Sequence, residues 1–280
     1  MRTATYVYCL IAARGAPVLK RARRGLPGMG RVRLLAVPEE RAATGRGSRS
    51  RASAGRRALK TWLAVADAPI ALYGEDAINR HLSDLDWVSR AAVGHEALVE
   101  SFIEQPAVLP MKLFTIFMND DRALEHVHAE RRRIAAILER VVAHHEWGVR
   151  VVLAAAGARR QDAEGVGKRR PITSGVAYLS SKKAQRDQAT ELAEHAREVV
   201  AGLYDRLDRQ AAQSKRRALS ELPRQRGPLL LDAAFLVPRG RSRRFNRTIA
   251  RESRALAERG YHVTMTGPWP PYSFIEDIQE

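Results

Sequence analysis

Apolar residues recur along this chain at two spacings: every second residue in short runs, and every third or fourth residue in longer ones. The first run, residues 3–12, alternates and is rich in Tyr, Val and Ile, so it predicts a β-strand with Tyr6, Tyr8 and Leu10 on one face. Short apolar runs bounded by Gly, Pro or charged residues predict six more strands, at residues 32–37, 59–66, 108–117, 147–154, 229–238 and 261–266.

Helical spacing of apolar residues predicts four helical segments, at residues 75–104, 119–144, 181–221 and 243–259. The first has Leu82 and Leu85 in its apolar stripe and is expected in two pieces joined near Gly94. Asn119 can cap the second helix. The third segment is the longest, and it predicts one long helix or a helical hairpin. Gly260 is expected to end the fourth, because glycine readily adopts the left-handed conformation of a helix C-terminus.

The predicted order of elements is β-β-β-α-β, a connecting helix, and then β-α-β-α-β. Neither half repeats the βα unit of a doubly wound sheet, so the sequence indicates an α+β fold of two small sheet-plus-helix domains. We expect an N-terminal domain over residues 1–120, a connecting helix over 121–145 and a C-terminal domain over 146–280. The C-terminal domain would contain the long helix 181–221 and the end of the chain.

The most distinctive segment is residues 266–274, with the sequence Thr-Gly-Pro-Trp-Pro-Pro-Tyr-Ser-Phe. Its prolines restrict φ and keep the backbone extended, so Trp269, Tyr272 and Phe274 project from a stiff segment. Such a segment either clamps onto its own domain or offers a preformed apolar face to a partner. We expect the clamp: the tail would close the C-terminal domain, with Trp269 largely buried.

Positive charge is concentrated in the first part of the chain. The net charge is +17, and residues 1–60 carry 15 Lys and Arg against 2 acidic residues. Residues 41–57 are the densest basic run and contain few large apolar residues, so this run is expected to be a mobile loop. It is either an arm that attracts nucleic acid or an acidic partner, or a solvated insertion without a partner.

The composition is typical of a protein from a reducing compartment. Hydrophobic residues make up 45% of the chain, enough for a core, and the one cysteine, Cys9, cannot form an internal disulfide. No apolar run reaches the roughly 20 residues needed to span a bilayer. Residues 1–20 lack the pattern of a signal peptide. We therefore expect a cytoplasmic protein that does not enter the membrane.

The chain shows no pattern typical of a catalytic or cofactor site. It lacks G-x-G-x-x-G, a Walker loop and H-E-x-x-H, and the glycine-rich run at residues 25–30 lacks the lysine and hydroxyl residue of a phosphate-binding loop. His126 and His128 would point to different sides of a helix, so they do not predict a metal site. A core or interdomain hydrogen bond explains His95. We expect no enzymatic activity, no cofactor and no metal.

Nucleic-acid binding is the alternative function that the residues leave open. An α+β domain with Tyr6 and Tyr8 on its first strand, beside an Arg-rich arm, is similar to an RNA-recognition module. Such a module carries a basic-aromatic motif with two glycines on another strand. Residues 112–117 keep the cation and the aromatic residues but lack both glycines, so nucleic acid is the less favoured partner.

Seven segments carry a family resemblance that spans nearly the whole chain. They are residues 6–8, 87–95, 108–117, 146–151, 175–182, 232–237 and 266–274. In this order they resemble the gas vesicle protein GvpL/GvpF family. The chain departs from the family pattern at residues 112–115, where the family usually has Arg-Phe-Gly-Thr, and at Asp232, where Asn is common.

The resemblance implies an accessory or minor structural protein of gas vesicle assembly, which binds the major shell protein GvpA and other accessory proteins during nucleation. It implies a ferredoxin-like N-terminal domain, a modified ferredoxin-like C-terminal domain with extra helices, a location at the gas vesicle, and no catalysis or cofactor. As a hypothesis, the N-terminal sheet and its basic loop dock the shell protein. A nucleic-acid-binding regulator that uses the basic N-terminal domain remains the alternative. The candidate partner-binding or structural motif consists of Tyr6, Tyr8, Lys112, Phe114, Trp269, Tyr272 and Phe274.

Overall fold

The computed structural model describes residues 2–19, 25–38, 59–153, 175–218 and 227–275. The chain forms two compact units: Met1–His144 together with Trp269–Glu280, and His145–Pro268. Each unit contains an antiparallel sheet with helices, which confirms the predicted α+β class. The predicted basic loop at residues 41–57 lies outside the described residues.

The first unit is built on a sheet of five strands: β1 (Thr3–Ala13), β2 (Arg33–Ala36), β3 (Lys60–Pro69), β4 (Ala107–Pro110) and β5 (Ile116–Phe117). The strand order is β2-β3-β1-β4, and β5 also pairs with β1. All of these pairings are antiparallel. An antiparallel sheet in this order, with β1 and β3 in the middle, confirms the predicted ferredoxin-like N-terminal fold.

A β-bulge in β1 changes which of its side chains share a face. The pairing of β1 with β3 shifts register between Val7 and Cys9. A bulge adds one residue to a strand, so the alternation of faces changes phase at that point. Tyr8 lies in one core cluster with Cys9 and Ile11, whereas strict alternation predicted that it would share a face with Leu10. That prediction was wrong beyond the bulge.

Three helices follow β3: α1 (Ile70–Tyr73), α2 (Glu75–His81) and α3 (Leu85–Glu100). Asp84 caps α3, and its side chain accepts a hydrogen bond from the backbone N–H of Trp87 at 3.0 Å. The helical segment is therefore interrupted at residues 82–84, and not at Gly94 as predicted. Gly94 lies inside α3, where a Cβ would come within 2.9 Å of Leu26 Cδ2, so glycine permits close packing.

The core of the first unit brings β1, β3 and α3 together. Its members include residues of the first strand, of the second half of α3 and of the turn that follows it, and they are almost free of solvent exposure. The cluster includes Tyr6, Tyr8, Ile11, Ala64, Ala66, Leu98, Val99 and Phe102.

The strand predicted at residues 108–117 is divided into β4 and β5 by a turn. Phe114 has a left-handed φ of 65°, a conformation that a non-glycine residue seldom adopts inside a strand. The backbone N–H of Thr115 donates to Lys112 O at 3.1 Å, which closes the turn. The single predicted strand was therefore wrong over residues 111–115.

Two helices pack on this sheet after β5: α4 (Asp120–Ala129) and α5 (Arg131–Val141). The side chain of Asn119 accepts a hydrogen bond from Arg122 N–H at 2.9 Å, which confirms the predicted cap. α4 contacts β1 and β5, and α5 contacts β4. The segment predicted as a connecting helix, residues 121–145, is thus mainly a pair of helices within the first unit.

Within the described residues, the second unit has the element order β-α-β-β-α-β. Its elements are β6 (His144–Leu153), α6 (Gly175–Asp208), β7 (Gln213–Arg216), β8 (Leu229–Pro238), α7 (Ser242–Ala257) and β9 (Tyr261–Trp269). The strand order is β7-β8-β6-β9, so the second sheet repeats the arrangement of the first and is also ferredoxin-like. Gly260 follows α7 with a φ of 82°, as expected at a helix C-terminus.

The long helix ends earlier than the predicted range of 181–221. α6 ends at Asp208, and the backbone N–H of Gln210 turns back to Leu207 O at 2.9 Å. The residues that follow, Gln213–Arg216, form an edge strand that pairs antiparallel with β8. Their polar sequence carries no β-strand signal, because the strand is created by pairing with a neighbour that is distant in sequence.

Two buried carboxylates lie in the second unit, and arginines pair with both. Glu146 on β6 is 2% exposed and Asp232 on β8 is 4% exposed. Arg217 Nη2 lies 2.9 Å from Glu146 Oε1, and Arg150 Nε lies 3.0 Å from Asp232 Oδ2. Arg217 Nη1 is also 3.5 Å from Asp232 Oδ1. These pairings compensate for the removal of the two carboxylates from water.

The proline-rich tail packs in the first unit. Phe274 and Ile275 are each 2% exposed, and Tyr272 packs against the core cluster of that unit. Arg140 Nη2 donates a hydrogen bond to Phe274 O at 2.8 Å. The tail therefore does not close the C-terminal domain as predicted, because the apolar side chains that bury it belong to the N-terminal unit. Trp269 is half-buried, and not largely buried as predicted.

Candidate functional site

Tyr6 and His95 form a buried hydrogen-bonded pair in the first unit. Tyr6 lies on β1 and is fully buried, and His95 lies on α3 and is 3% exposed. Tyr6 Oη is 2.8 Å from His95 Nδ1, and His95 Nε2 is 3.1 Å from Met111 O. The backbone N–H of Phe114 donates to Tyr6 Oη at 3.2 Å. One series of hydrogen bonds thus joins the strand, the helix and the turn between β4 and β5.

These partners determine the protonation state of His95. Met111 O can only accept a hydrogen bond, so Nε2 carries the proton and Nδ1 accepts from the Tyr6 hydroxyl. Burial lowers the pKa of His95 to about 4, although the hydrogen bond to Met111 O acts in the opposite direction. Burial also raises the pKa of Tyr6 above its ordinary value. Both side chains are therefore neutral at pH 7 and serve as hydrogen-bonding groups of the core.

Tyr8 is enclosed in the same core by the glycine-rich turn that precedes β2. Its hydroxyl accepts a hydrogen bond from Leu26 N–H at 2.9 Å and lies 3.5 Å from Met29 Sδ. A Cβ at Gly25 would come within 2.7 Å of Tyr8 Oη, so only glycine lets the turn approach this closely. The turn thus packs against the tyrosine. Like Tyr6, Tyr8 is fully buried and does not form part of a partner-binding surface.

A small cavity of about 190 Å³ lies beside His95. Two of the sequence-predicted residues line it, namely Lys112 and Tyr272, together with Met111 and Ile275. Sites for small-molecule ligands usually have volumes of about 300–1,000 Å³. The cavity is therefore too small to define a ligand site.

A larger groove in the same unit is built on stacked rings. Trp87 on α3 stacks on His81, with ring centroids 5.1 Å apart at 24°, and on Phe114, with centroids 5.1 Å apart at 19°. The hydroxyl of Tyr73 donates to Pro27 O at 2.7 Å. This groove, named the Trp87 groove, has a volume of about 350 Å³. Its lining includes Pro27, Leu72, Tyr73, His81, Trp87 and Arg90.

Exposed aliphatic side chains accompany the Trp87 groove. Leu72 lines it and is 45% exposed, while Leu82 and Leu85, in the segment between His81 and Trp87, are 50% and 79% exposed. Single exposed apolar residues are ordinary in soluble proteins. A group of them beside an aromatic groove indicates a binding surface for an apolar partner.

The sequence-predicted residues do not come together as one surface. Three of them are core residues: Tyr6, Tyr8 and Phe274. Two line the small cavity: Lys112 and Tyr272. Phe114 belongs to the ring stack of the Trp87 groove, and Trp269 is the last residue of β9.

Sequence reasoning missed His81 and Trp87 as parts of a groove. The sequence showed only that Leu82 and Leu85 recur at helical spacing in an apolar stripe, and this spacing does not indicate a groove. Both residues are exposed because the helical segment is interrupted between α2 and α3, which changes the direction of their side chains.

The described residues do not indicate a metal site, a membrane-spanning helix or an activated thiol. No three His, Cys, Asp or Glu side chains within them are grouped closely enough to hold a metal ion. No described helix has both the length and the apolar character needed to cross a bilayer. Cys9 is buried, and burial raises the pKa of its thiol, so it is not an activated nucleophile.

The two units together define a class of α+β protein, with tandem ferredoxin-like sheets, buried polar networks and an open apolar groove. A family model described as "Gas vesicle synthesis protein GvpL/GvpF" matches residues 4–276. The chain belongs to this family, which confirms the resemblance found in the sequence.

Individual relatives agree with the family assignment. Gas vesicle protein L from Streptomyces sp. (strain CB03234) is 30% identical over 218 residues, which cover 76% of this chain and 80% of that protein. The fold is similar to the crystal structure of GvpF from Anabaena sp. PCC7120, with a TM-score of 0.64 over 98% of both chains. It is also similar to GvpF from Microcystis aeruginosa, with a TM-score of 0.58 over 97% of this chain and 98% of that one. Both crystal structures are 10% identical to this chain, so their likeness supports the fold alone.

Proposed function

We propose that this chain is an accessory protein of gas vesicle assembly, which binds the shell protein GvpA and other accessory proteins during nucleation. It acts in the cytoplasm and at the gas vesicle through surface contacts, without catalysis or a cofactor. Membership of the GvpL/GvpF family supports the role in assembly. The Trp87 groove is the observation that supports contact with an apolar shell subunit.

The Trp87 groove suits an apolar segment of a polypeptide. Two of its lining residues are held in place, because Trp87 stacks on His81 and on Phe114 and Tyr73 donates a hydrogen bond to Pro27 O. The resemblance implies a shell subunit that is apolar on one face and assembles with its own copies. An accessory protein that holds such a subunit needs exposed apolar surface of this kind.

The exposed leucines offer most of the apolar area that a partner could cover. Leu82 and Leu85 are 50% and 79% exposed, so contact with GvpA would remove much of each side chain from water. Burial of such a side chain contributes roughly 1–2 kcal/mol. Loss of both leucines should therefore weaken binding by about tenfold or more, since 1.4 kcal/mol corresponds to a factor of ten.

A double variant, Leu82→Ser with Leu85→Ser, tests this surface in the full chain. Affinity for purified GvpA, measured by biolayer interferometry, should fall by about tenfold or more. The matched control is Val93→Ser with Met118→Ser, which changes two residues that are 63% and 79% exposed but lie outside the segment between His81 and Trp87. The control should bind as the unchanged protein does. Equal affinities for GvpA in both variants would remove the Trp87 groove from the proposed function.

Salt concentration separates this function from the nucleic-acid alternative. Binding of a polyanion weakens steeply as salt is added, because counterions compete for the basic groups. Apolar docking of GvpA should change little between low and high salt. The alternative would be favoured if the protein bound RNA with nanomolar, salt-sensitive affinity and did not bind GvpA. In that case the binding of RNA should be lost when residues 41–57 are deleted.

A further inference from the structure

A second groove, between α6 and α7 in the second unit, is strongly basic. It has a volume of about 610 Å³ and is open to solvent. Five of its lining residues are arginines: Arg206, Arg209, Arg244, Arg247 and Arg251. These five residues define the arginine groove. The sequence analysis did not predict it, because the excess of positive charge was found in the first 60 residues.

The arginines are arranged in two rows. Arg244, Arg247 and Arg251 are three and four residues apart, so they lie on one face of α7 and extend over about 10 Å. Arg206 and Arg209, three residues apart at the end of α6, form the opposite row. The arginines are thus distributed along both sides of the groove, over about two turns of α7.

Two of the arginines pair with Glu252, a residue of α7 that does not line the groove. Arg206 Nη2 lies 2.9 Å from Glu252 Oε2, and Arg251 Nη2 lies 3.0 Å from Glu252 Oε1. Within the described ranges of the chain, the other three arginines have no carboxylate within 4.0 Å: Arg209, Arg244 and Arg247. The described lining of the groove therefore contains five arginines and no acidic residue, and Arg209, Arg244 and Arg247 are exposed.

We propose that the arginine groove binds an acidic segment of a partner polypeptide, with carboxylates repeated every three or four residues along one face of a helix. Guanidinium groups pair with carboxylates through two parallel hydrogen bonds, and the spacing along α7 matches the spacing of side chains on such a helix. This surface is separate from the Trp87 groove, and the proposal does not depend on GvpA binding there.

The lining favours an acidic peptide over other anions. Among the described residues, its remaining members are Gln210 and Thr248, so they supply no aromatic ring on which the bases of a single-stranded nucleic acid could stack. A compact anion such as phosphate needs donors that converge on it, whereas these donors are spread over two helical turns of α7. An elongated row of carboxylates can contact both rows of arginines at once.

The test uses the full chain and a fluorescent helical peptide with glutamate at every third or fourth position. A peptide with glutamine in place of each glutamate is the ligand control. Fluorescence anisotropy at low salt should show binding of the glutamate peptide and none of the glutamine peptide. Arg244→Gln with Arg247→Gln should weaken binding by about tenfold or more, because two charge-assisted contacts are lost.

The matched control is Arg243→Gln with Arg254→Gln. It removes the same charge from the same helix, but neither residue lines the arginine groove. All four arginines are exposed, so both variants should fold, which circular dichroism checks. The control should lose less than about twofold in affinity. Equal losses in the two variants would show attraction to general positive charge and would overturn the proposal.

Cross-linking distinguishes the arginine groove from the basic N-terminal region. A photoreactive group at the centre of the glutamate peptide should label α6 and α7. Labelling confined to residues 1–60 would overturn the proposal. In a competition assay, tripolyphosphate or a single-stranded oligonucleotide should displace the labelled peptide less effectively than unlabelled glutamate peptide does. Displacement by either at much lower concentrations would overturn the proposal, because the natural ligand would then be a phosphate polyanion.

Discussion

The hydroxyl of Tyr6 donates a hydrogen bond to His95, with 2.8 Å between Tyr6 Oη and His95 Nδ1. His95 in turn donates to Met111 O, and Tyr6 Oη accepts from the backbone N–H of Phe114. The pair therefore holds both ends of the turn between β4 and β5. Phe114 in this turn stacks on Trp87, so a buried pair of polar side chains supports the ring of Trp87, which lines the Trp87 groove.

The variant Tyr6→Phe should destabilise the first unit. It leaves His95 Nδ1 and the N–H of Phe114 buried without the hydroxyl that serves both. The expected loss is about 1–3 kcal/mol in the free energy of unfolding. Urea denaturation should show a lower midpoint. The control is Tyr261→Phe, since Tyr261 is buried but its hydroxyl has no hydrogen-bond partner among the described residues. The midpoint of this control should hardly change.

The stability of the first unit should depend on pH through His95. Burial lowers the pKa of this side chain from 6.5 to about 4 in the folded chain. Between those values the unfolded chain binds a proton that the folded chain does not. Stability is therefore complete above about pH 6.5 and is lost progressively as the pH falls towards 4. A shift of this size corresponds to a change on the order of 3 kcal/mol.

Urea denaturation at a series of pH values between 7.5 and 4 measures this dependence. The comparison is with His95→Gln, because glutamine can donate and accept hydrogen bonds but does not titrate. The variant should lose less stability over the same pH range. Parallel pH profiles for the two proteins would show that His95 is not held neutral by the fold.

The positions of most strands followed from local sequence, because a buried strand needs a run of apolar residues. Leu229–Pro238 forms a strand with the bounds predicted from its apolar run. Gln213–Arg216 could not be predicted in this way, because it is a polar edge strand that depends on pairing with β8. The bulge at Tyr8 also leaves no local signature, so the predicted faces of β1 were wrong after it.

The candidate surfaces were harder to predict than the strands. The sequence of residues 266–274 predicts an apolar, stiff segment, but it does not indicate that this segment packs in the N-terminal unit. Leu82 and Leu85 fit a helical stripe, and the break capped by Asp84 is what leaves them exposed. The arginine groove depends on two helices that are distant in sequence. Such surfaces arise from tertiary packing, and a single sequence does not encode them locally.

Phe274→Ala should destabilise the first unit selectively. Phe274 is 2% exposed, and loss of a buried phenylalanine side chain costs about 3–5 kcal/mol. Hydrogen exchange should become faster in β1 and α3 and remain unchanged in β8. Met118→Ala is the control, since Met118 is 79% exposed and its truncation should alter neither unit. Faster exchange in β8 with an unchanged β1 would show that the tail stabilises the second unit instead.

Asp232→Asn and Asp232→Ala should differ in their effects on the second unit. Asparagine keeps an oxygen that can accept the hydrogen bond of Arg150 Nε, whereas alanine removes it. The arginines are 45% and 41% exposed, so water can solvate them when the carboxylate is lost. Alanine should therefore cost about 1–2 kcal/mol, below the 3–5 kcal/mol of a fully buried pair, and asparagine less.

The measurement is the urea midpoint of each Asp232 variant, with Asp205→Asn as the control for an exposed aspartate. Asparagine at this position can still accept the hydrogen bond of Arg150 Nε through its side-chain oxygen. If Asp232→Asn were as destabilising as Asp232→Ala, the negative charge itself would be required by Arg150 and Arg217. The midpoint of Asp232→Asn should therefore lie closer to that of the unchanged protein than to that of the alanine variant.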